Sequence, residues 1–210
     1  MRTRKPPQPS SEDPTAFDDR LAATVVDDEF LLRRIGRGDR TAFDAFYRRH
    51  YVRVLRFAMR IAGDQDIVDE VINDTMLAVW DRADTFRGEA RPTTWLLAIA
   101  WRSTKHRLRA ARRWRGTVDI DDVPMADPSS PEADAADRQR ARHLQACIAS
   151  LSPTHRAVVE LTYFHDYTGR EIATILGCPE GTVRSRMLYA RRRLRALLAD
   201  LYDPQRKEHE

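Results

Sequence analysis

Residues Tyr167–Arg186, with the sequence YTGREIATILGCPEGTVRSR, have the pattern of two helices joined by a tight turn. Thr168 precedes the first helix as an N-cap, and Glu171, three residues later, completes a capping box. Apolar residues then recur at helical spacing along one side of that helix. Gly177 can adopt a positive φ at its end, and Pro179 prevents it from continuing. The stretch therefore predicts a helix, a turn and a second helix.

The second of these helices combines a narrow apolar stripe with strong positive charge. Its apolar positions recur every three or four residues and are Val183, Met187, Ala190, Leu194 and Leu197. The other faces carry a set of arginines without one acidic residue among them: Arg184, Arg186, Arg191, Arg192, Arg193 and Arg195. The helix should therefore bury one side and present a cationic surface on the rest.

A basic second helix after a glycine turn is typical of the helix-turn-helix motif. In that motif the N-terminal residues of the second helix enter the major groove of DNA. The residues placed to reach base edges or flanking phosphates are Thr182, Arg184, Ser185 and Arg186. A helical hairpin with a solvated basic face is the alternative, and the unbroken arginine excess disfavours it.

The composition predicts an all-α protein that does not insert into a membrane. Of 210 residues, 42% are hydrophobic and 32% are charged, and the mean hydropathy is −0.60. The net charge is only +4, so the clustering of the basic residues matters more than their total. Cys147 and Cys178 lie far apart in a chain without a secretory leader, which indicates neither a disulfide framework nor a zinc site. We expect a reducing, cytoplasmic location.

The N-terminal third begins with a polar tail and continues as packed helices. Residues 1–28 mix charged residues, proline and serine and are expected to be disordered. Arg2, Arg4 and Lys5 in this tail are more typical of a solvated terminus than of a nucleic-acid contact. From residue 29 the apolar residues follow helical spacing, broken at the glycines of residues 36–38, with Asp39 or Thr41 as the cap of the following helix.

The helix from Asp66 to about Trp80 has one apolar face and one acidic face. The polar face carries Asp66, Asp69, Glu70, Asn73 and Asp74. Adjacent carboxylates can bind a metal or act in acid–base catalysis, but no histidine or cysteine accompanies them here. The pattern therefore favours a docking surface for a basic partner.

The next helix follows a glycine- and proline-containing loop, residues 86–93, and is expected to open at Thr93 or Thr94. Beyond Trp101 it turns basic. Arg102, Lys105, Arg109 and Arg112 form one stripe, and Arg107, Arg113 and Arg115 add charge nearby. A stripe of this kind can follow a phosphate backbone. Trp95 and Trp101 could stack on bases, although tryptophans in an apolar helical run are more often core residues.

An acidic, proline-containing segment, residues 116–137, separates two predicted helical domains. The second domain covers residues 138–202 and contains Ser152 as N-cap and Pro153 as first residue of a helix that packs beneath the helix-turn-helix. Residues 203–210 form a short charged tail that we expect to fray.

Two stretches of this chain resemble bacterial RNA polymerase sigma factors of the extracytoplasmic-function group. Residues 69–80 (DEVINDTMLAVW), with 86–88 (FRG) and 94–100 (TWLLAIA), are similar to the family's region 2. Residues 171–177 (EIATILG) and 181–186 (GTVRSR), followed by Ala190-Arg191, are similar to its region 4. The resemblance covers about residues 29–202 and implies a region 2 domain at 29–115 and a region 4 domain at 138–202.

The resemblance implies a function as well as a fold: binding core RNA polymerase and directing initiation at promoters, without catalysis and without a cofactor. It assigns docking on the polymerase β′ clamp to Asp66, Asp69, Glu70, Asn73 and Asp74. It assigns recognition and melting of the −10 element to Phe86, Arg87, Gly88, Arg91, Thr93, Arg102, Lys105 and Arg109. It assigns recognition of the −35 element to Thr182, Arg184, Ser185, Arg186 and Arg191. The apolar face around Leu151–Leu161 would contact the β flap, and an anti-sigma factor is a further implied partner.

Two other functions are compatible with parts of the sequence. A stand-alone helix-turn-helix transcription factor would act as a dimer, and a receiver domain or ligand pocket would support it; neither is visible in the sequence. A nucleic-acid enzyme would use the carboxylates of residues 66–74, yet no zinc-ligand pattern such as His-x-Glu with Cys-x-x-Cys accompanies them.

Overall fold

The computed structural model describes residues 27–115 and 135–202, and every regular element within these ranges is helical. The helices are α1 (Asp28–Gly36), α2 (Arg40–Ala62), α3 (Gln65–Arg82), α4 (Pro92–Arg115), α5 (Ala135–Ala149), α6 (Pro153–Tyr163), α7 (Gly169–Leu176) and α8 (Glu180–Tyr202). A 3₁₀ turn (Ala83–Thr85) follows α3. We call α1–α4 the N-terminal domain and α5–α8 the C-terminal domain. The all-α prediction is confirmed for this part of the chain.

Several sequence predictions fall outside these ranges. The N-terminal tail up to residue 26, the acidic segment 116–134 and the C-terminal tail 203–210 are not among the described residues. Helix α5 begins at Ala135, three positions before the expected start of the second domain at residue 138.

Aspartates begin the first three helices. Asp39 caps α2 by accepting a hydrogen bond from the N–H of Ala42 at 3.1 Å, which decides between the two predicted caps. Asp64 caps α3 in the same way, immediately after Gly63 has ended α2 with a φ of 69°. These side chains satisfy backbone N–H groups that have no partner inside the helix. The chain can therefore turn sharply between α2 and α3.

The helix-turn-helix has the predicted boundaries. The N–H of Thr168 donates to the Glu171 carboxylate at 2.9 Å, and the N–H of Glu171 donates to the Thr168 hydroxyl at 3.3 Å. At the other end of α7, Gly177 has a φ of 62°. The N–H groups of Gly177 and Cys178 donate back to the last turn, at 3.3 and 3.1 Å, in a Schellman arrangement. The capping box and the glycine C-cap are both confirmed.

One predicted helix start differs from that observed, and a second helix starts where predicted but lacks a side-chain cap. Helix α4 begins at Pro92 rather than at Thr93 or Thr94, because proline at the first helical position loses no backbone hydrogen bond. Ser152 does occupy the N-cap position of α6, but its hydroxyl lies 2.6 Å from Nδ1 of His155 and makes no bond to the helix backbone. The imidazole of His155 therefore takes the place of a backbone N–H as the partner of the Ser152 hydroxyl.

The core of the N-terminal domain is formed by the inward faces of α1–α4. Trp101, Phe46 and Phe57 are among its largest fully buried side chains. Trp101 is thus a core residue, which is the more frequent role of a tryptophan in an apolar helical run. Trp95 remains half-buried and packs edge-to-face on Phe86, with ring centroids 5.6 Å apart.

The C-terminal domain packs α6 against α7 and α8, as predicted from sequence. The apolar stripe of α8 turns Val183 and Ala190 fully inward. Helix α6 also packs against α2, and α7 packs against α4, so buried residues of both domains form one continuous cluster. The sequence pattern predicted the two domains but gave no indication of this direct contact between them.

Candidate nucleic-acid and polymerase interfaces

The start of α8 presents polar side chains to solvent. Helix α8 follows directly on the Schellman turn, and Pro179 precedes it, contributing only a backbone carbonyl to the N–H groups of Thr182 and Val183. The Arg184 side chain is 84% exposed and lies 4.0 Å from Glu180. Ser185 is also exposed, and its hydroxyl donates to the carbonyl of Thr182 at 3.0 Å. Both side chains are accessible to a ligand.

The other two predicted arginines of α8 are held by protein neighbours. Arg186 is half-buried and lies against the turn, with one guanidinium nitrogen 3.6 Å from Sγ of Cys178. Arg191 is exposed and donates from Nε to the hydroxyl of Tyr163 at 3.0 Å. These contacts orient the two guanidinium groups, so they are less free to move than that of Arg184.

Two large exposed side chains on α8 were missed by the sequence reasoning. Leu188 and Tyr189 are 53% and 55% exposed, and the Tyr189 ring stacks on His155 with centroids 4.4 Å apart. Burial, followed by the nearby charge of Arg186, lowers the pKa of His155. The exposure of Leu188 and Tyr189 could have been predicted from their positions on α8. Neither residue belongs to the apolar stripe, so both must face away from the core.

The loop before α4 surrounds a cavity. Gly88 adopts a φ of 73°, and no atom lies near the position its Cβ would take. The cavity has a volume of about 670 Å³, and its lining includes Phe86, Arg87, Arg91, Trp95 and Arg102 from the N-terminal domain. Its polar rim and aromatic wall could accommodate a ligand with a planar group and negative charges on either side of it.

The C-terminal domain closes one side of this cavity. Arg170, Glu171 and Thr174 of α7 complete its lining. Arg91 donates from Nε to the Glu171 carboxylate at 2.7 Å and makes a second, shorter contact with the same oxygen. The loop of one domain is therefore bound to the first helix of the helix-turn-helix in the other.

The predicted basic stripe of α4 is present beside the cavity. Arg102 and Arg109 are exposed, and Thr93 is half-buried in the first turn of the helix. Lys105 lies with Nζ 5.2 Å from the centroid of the Trp101 ring. Burial and the neighbouring charges of Arg109, Arg102 and Arg186 lower the pKa of Lys105. The stripe is thus a concentrated patch of positive charge.

Arg107 does not belong to that stripe. It turns to the opposite side of α4, where Nε and one terminal nitrogen each donate to the Asp74 carboxylate at 2.6 Å. Its other terminal nitrogen donates to Glu70 at 2.9 Å. The prediction that Arg107 adds to the phosphate-binding charge is wrong, because these two carboxylates on α3 bind it.

The polar residues on the acidic face of α3 therefore fall into two groups, those that Arg107 binds and those that it does not. Asp66, Asp69 and Asn73 are exposed, and Asp69 accepts a hydrogen bond from the side chain of Gln65 at 2.9 Å. Glu70 is exposed and Asp74 half-buried, and both are neutralised in part by Arg107. The free negative charge is thus concentrated toward the N-terminal end of the helix.

Metal binding finds no support in the described residues. Across residues 27–115 and 135–202, no three histidine, cysteine, aspartate or glutamate side chains come together as metal ligands would. Within the same ranges, none of the helices combines the length and the apolar character needed to cross a membrane.

Comparison with protein families matches both domains, in order. A model described as Sigma-70 region 2 matches residues 46–114, and one described as Sigma-70, region 4 matches residues 141–194. The two matches together cover more than half of the chain.

Curated relatives match over most of their length. The ECF RNA polymerase sigma factor SigL of Mycobacterium tuberculosis is 34% identical over 75% of this chain and 89% of its own. SigM of the same species, also an ECF RNA polymerase sigma factor, is 34% identical over 83% of this chain and 86% of its own. The RNA polymerase sigma-H factor of Pseudomonas aeruginosa is 28% identical, covering 80% and 92%.

Solved structures share the fold. CnrH in complex with the cytosolic domain of CnrY superposes with a TM-score of 0.59 at 25% identity, covering 82% of this chain and 97% of that one. RpoE of Bartonella quintana in complex with the anti-sigma factor NepR superposes with a TM-score of 0.61 at 22% identity, covering 74% and 97%. With both family models matched in order, the chain belongs to the sigma-70 family of RNA polymerase sigma factors, in the extracytoplasmic-function group, whose members direct promoter-specific transcription.

Proposed function

We propose that the two domains divide promoter recognition between them, α8 binding the −35 element and the cavity loop with α4 binding the −10 element. The observation that carries this proposal is the exposed polar start of α8, held at a fixed angle by the capping box and the glycine C-cap of α7. Arg184 and Ser185 contact base edges in the major groove. Thr182, Arg186 and Arg191 position the helix on the phosphate backbone.

The −10 element is bound as a separated strand by the cavity loop. Phe86 and Trp95 form an aromatic wall against which a base extruded from the duplex can stack. Arg87 and Arg91 lie on the rim of the cavity, and Gly88 and Thr93 allow the backbone to approach closely. Arg102, Lys105 and Arg109 continue the path of positive charge along α4, where the sugar–phosphate backbone lies.

Docking on core polymerase uses the acidic face of α3. Asp66, Asp69 and Asn73 make the direct contacts with the basic partner surface, because their side chains are exposed. Glu70 and Asp74 take part through the Arg107 cluster, which fixes α3 against α4. The apolar face around Leu151–Leu161 seats the C-terminal domain on the β flap.

The protein acts in the cytoplasm, where its polymerase resides, and an anti-sigma factor regulates it. Support for the regulator comes from the solved structure of RpoE from Bartonella quintana, which is in complex with the anti-sigma factor NepR. The N-terminal domain, α1–α4, ends at residue 115 and the C-terminal domain, α5–α8, begins at residue 135, and the acidic segment between them connects the two promoter-binding surfaces.

The −35 assignment is tested with a promoter library randomised at the −35 and −10 elements and transcribed by core polymerase with the purified protein. Arg184→Ala should lose base preference at one or two −35 positions by about 1–3 kcal/mol, while the −10 preferences stay unchanged. Arg192→Ala is the matched control, since Arg192 is an exposed arginine two turns further along the same helix. Equal loss of preference in both variants, or loss at the −10 positions, would contradict the assignment.

A further inference from the structure

Helix α2 carries a stripe of arginines that none of the functions proposed above uses. Arg49, Arg53, Arg56 and Arg60 follow one another at intervals of three or four residues, so their side chains lie along one face of the helix. The first three of them are exposed. Asp44 is the one acidic residue of α2, and it lies two and a half turns before Arg53, on the opposite side. The helix therefore presents a face that is positively charged along its length.

Each end of this stripe has a carboxylate as its partner. Nη1 of Arg49 donates to Oδ1 of Asp28 at 2.7 Å, which still leaves the Arg49 side chain 36% exposed. Nε of Arg60 lies 3.4 Å from Oε1 of Glu160, which is buried on α6. Arg60 is thus committed to a partner within the chain, whereas Arg49 remains accessible from outside.

The middle of the stripe has no such partner. Across the described ranges, residues 27–115 and 135–202, no carboxylate lies within ion-pair distance of Arg53 or Arg56. Arginines that are three or four residues apart on a helix repel each other, so this row weakens the helix that carries it. The two side chains are therefore available to a negatively charged partner outside the chain, and binding such a partner would relieve their repulsion.

The surroundings of Arg53 and Arg56 favour a phosphate backbone as that partner. A guanidinium binds phosphate oxygens through two parallel hydrogen bonds. Val52, at 46%, is the only large apolar side chain of α2 that is exposed, whereas the centre of a protein interface, or a helix lying on a membrane, needs more apolar area. From Arg49 to Arg56 the helix rises about 10 Å, which matches three phosphates of one DNA strand at ~3.4 Å each.

We propose that Arg49, Arg53 and Arg56 form a second nucleic-acid surface of the N-terminal domain, which binds phosphates of promoter DNA flanking the −10 element without reading its sequence. The location beside the −10 element rests on the function proposed above for α4, which packs against α2. The phosphate binding itself does not depend on that function.

A photo-crosslinker tests the contact directly. Val52→p-benzoylphenylalanine places the reactive group among the arginines in the full chain, and the holoenzyme is irradiated on a promoter mapped with it. Crosslinks to promoter DNA outside the −10 element are expected, and they should persist when the sequence at the crosslinked positions is changed. Absence of crosslinks to DNA, including crosslinks confined to polymerase or to this chain, would overturn the proposal.

Equilibrium binding of the holoenzyme to the same promoter measures the contribution of the charges. Arg53→Gln with Arg56→Gln should weaken binding about tenfold at ~0.1 M salt and make the slope of log affinity against log salt shallower by about 1–2. The matched control is Arg140→Gln with Arg142→Gln, which removes two exposed arginines of α5 and should leave both quantities unchanged. Equal weakening by the two double variants, or none by the first, would reject the surface on α2.

Urea unfolding separates binding from a structural role of the same arginines. The Arg53→Gln with Arg56→Gln variant should be at least as stable as the wild type, because glutamine removes the repulsion and is a comparable helix former. Weaker DNA binding accompanied by a loss of stability would assign the two arginines to the fold instead.

Arg102→Gln with Arg109→Gln tests the −10 function of α4 in the same binding assay. If this variant alone weakens binding, only the surface on α2 is rejected. If the α2 variant alone weakens it, the −10 role of α4 fails while the phosphate binding by α2 stands. If neither does, both are rejected.

Discussion

Asp28 links the first two helices through a single carboxylate. It accepts hydrogen bonds from Nε2 of His50 at 2.9 Å and from Arg49 at 2.7 Å, although it is also the first residue of α1. Burial favours its neutral form, but the hydrogen bonds from His50 and Arg49 outweigh this and lower the pKa of Asp28 below its ordinary value of 3.8. The ionised form is therefore the one that stabilises the fold.

Asp28→Asn should destabilise the protein by about 1 kcal/mol near neutral pH, since a charge-assisted contact is replaced by a neutral one. A carboxyl with a lowered pKa stabilises the folded state above pH 3.8, and this contribution is lost as the pH falls through the folded-state pKa. The difference between the two proteins should accordingly shrink at pH 3. Urea unfolding at both pH values measures it, with Asp81→Asn, an exposed aspartate, as control. A constant difference across this range would contradict the account.

Residue type and spacing located Arg107 on the basic helix but not the carboxylates it binds. Arg102, Lys105 and Arg109 were grouped correctly by their spacing, and Arg107 differs from them only in the face it occupies. Its partners lie 33 and 37 residues earlier in the chain. Local patterns carry no information about which distant element packs against a given face, so this ion cluster required the structure.

At the scale of helices, Gly177 fixes the angle between α7 and α8. Its φ of 62° is a conformation that costs other residues free energy, and its N–H belongs to the Schellman turn. Because that turn positions the exposed start of α8, any strain there affects both the stability and the presentation of Arg184.

Gly177→Ala should destabilise the chain by about 1–2 kcal/mol, because alanine must adopt the left-handed conformation. Gly181→Ala is the matched control: it lies within α8 with open space around its Cβ position, and there alanine should stabilise by about 0.5–1 kcal/mol. Denaturant unfolding of both variants measures the two opposite shifts. Two shifts of the same sign would show that the turn does not depend on positive φ.

Most helix boundaries could be predicted from short-range chemistry. Asp39, the capping box at Thr168 and the glycine C-cap at Gly177 each act within one turn, so the residues next to them reveal their roles. Ser152 failed as a predicted side-chain cap for the complementary reason, because His155 offered its hydroxyl a better partner. A helix cap can therefore be predicted from sequence wherever no third side chain competes for the capping group.

At the scale of the whole molecule, the two domains could each be predicted from sequence, but the way they pack against each other could not. Each domain follows from its own apolar pattern, and each is matched by a family model. Arg156 and Glu160 resemble ordinary helix residues in sequence, yet both are buried where α6 meets α2, about a hundred residues away along the chain. Their pairing depends on the completed fold, and so does the cavity wall that α7 contributes.

We propose that this chain selects promoters only as a subunit of polymerase and reads two promoter elements at once. Run-off transcription on sheared genomic DNA, by bacterial core polymerase with and without the purified protein, tests it most directly. The account predicts discrete new start sites that share paired upstream elements. Asp69→Lys should abolish them, because its positive charge repels the basic partner surface, whereas Asp84→Lys, an exposed aspartate outside α3, should retain them. Absence of new starts, with specific duplex binding by the protein alone, would contradict the account and favour a stand-alone regulator.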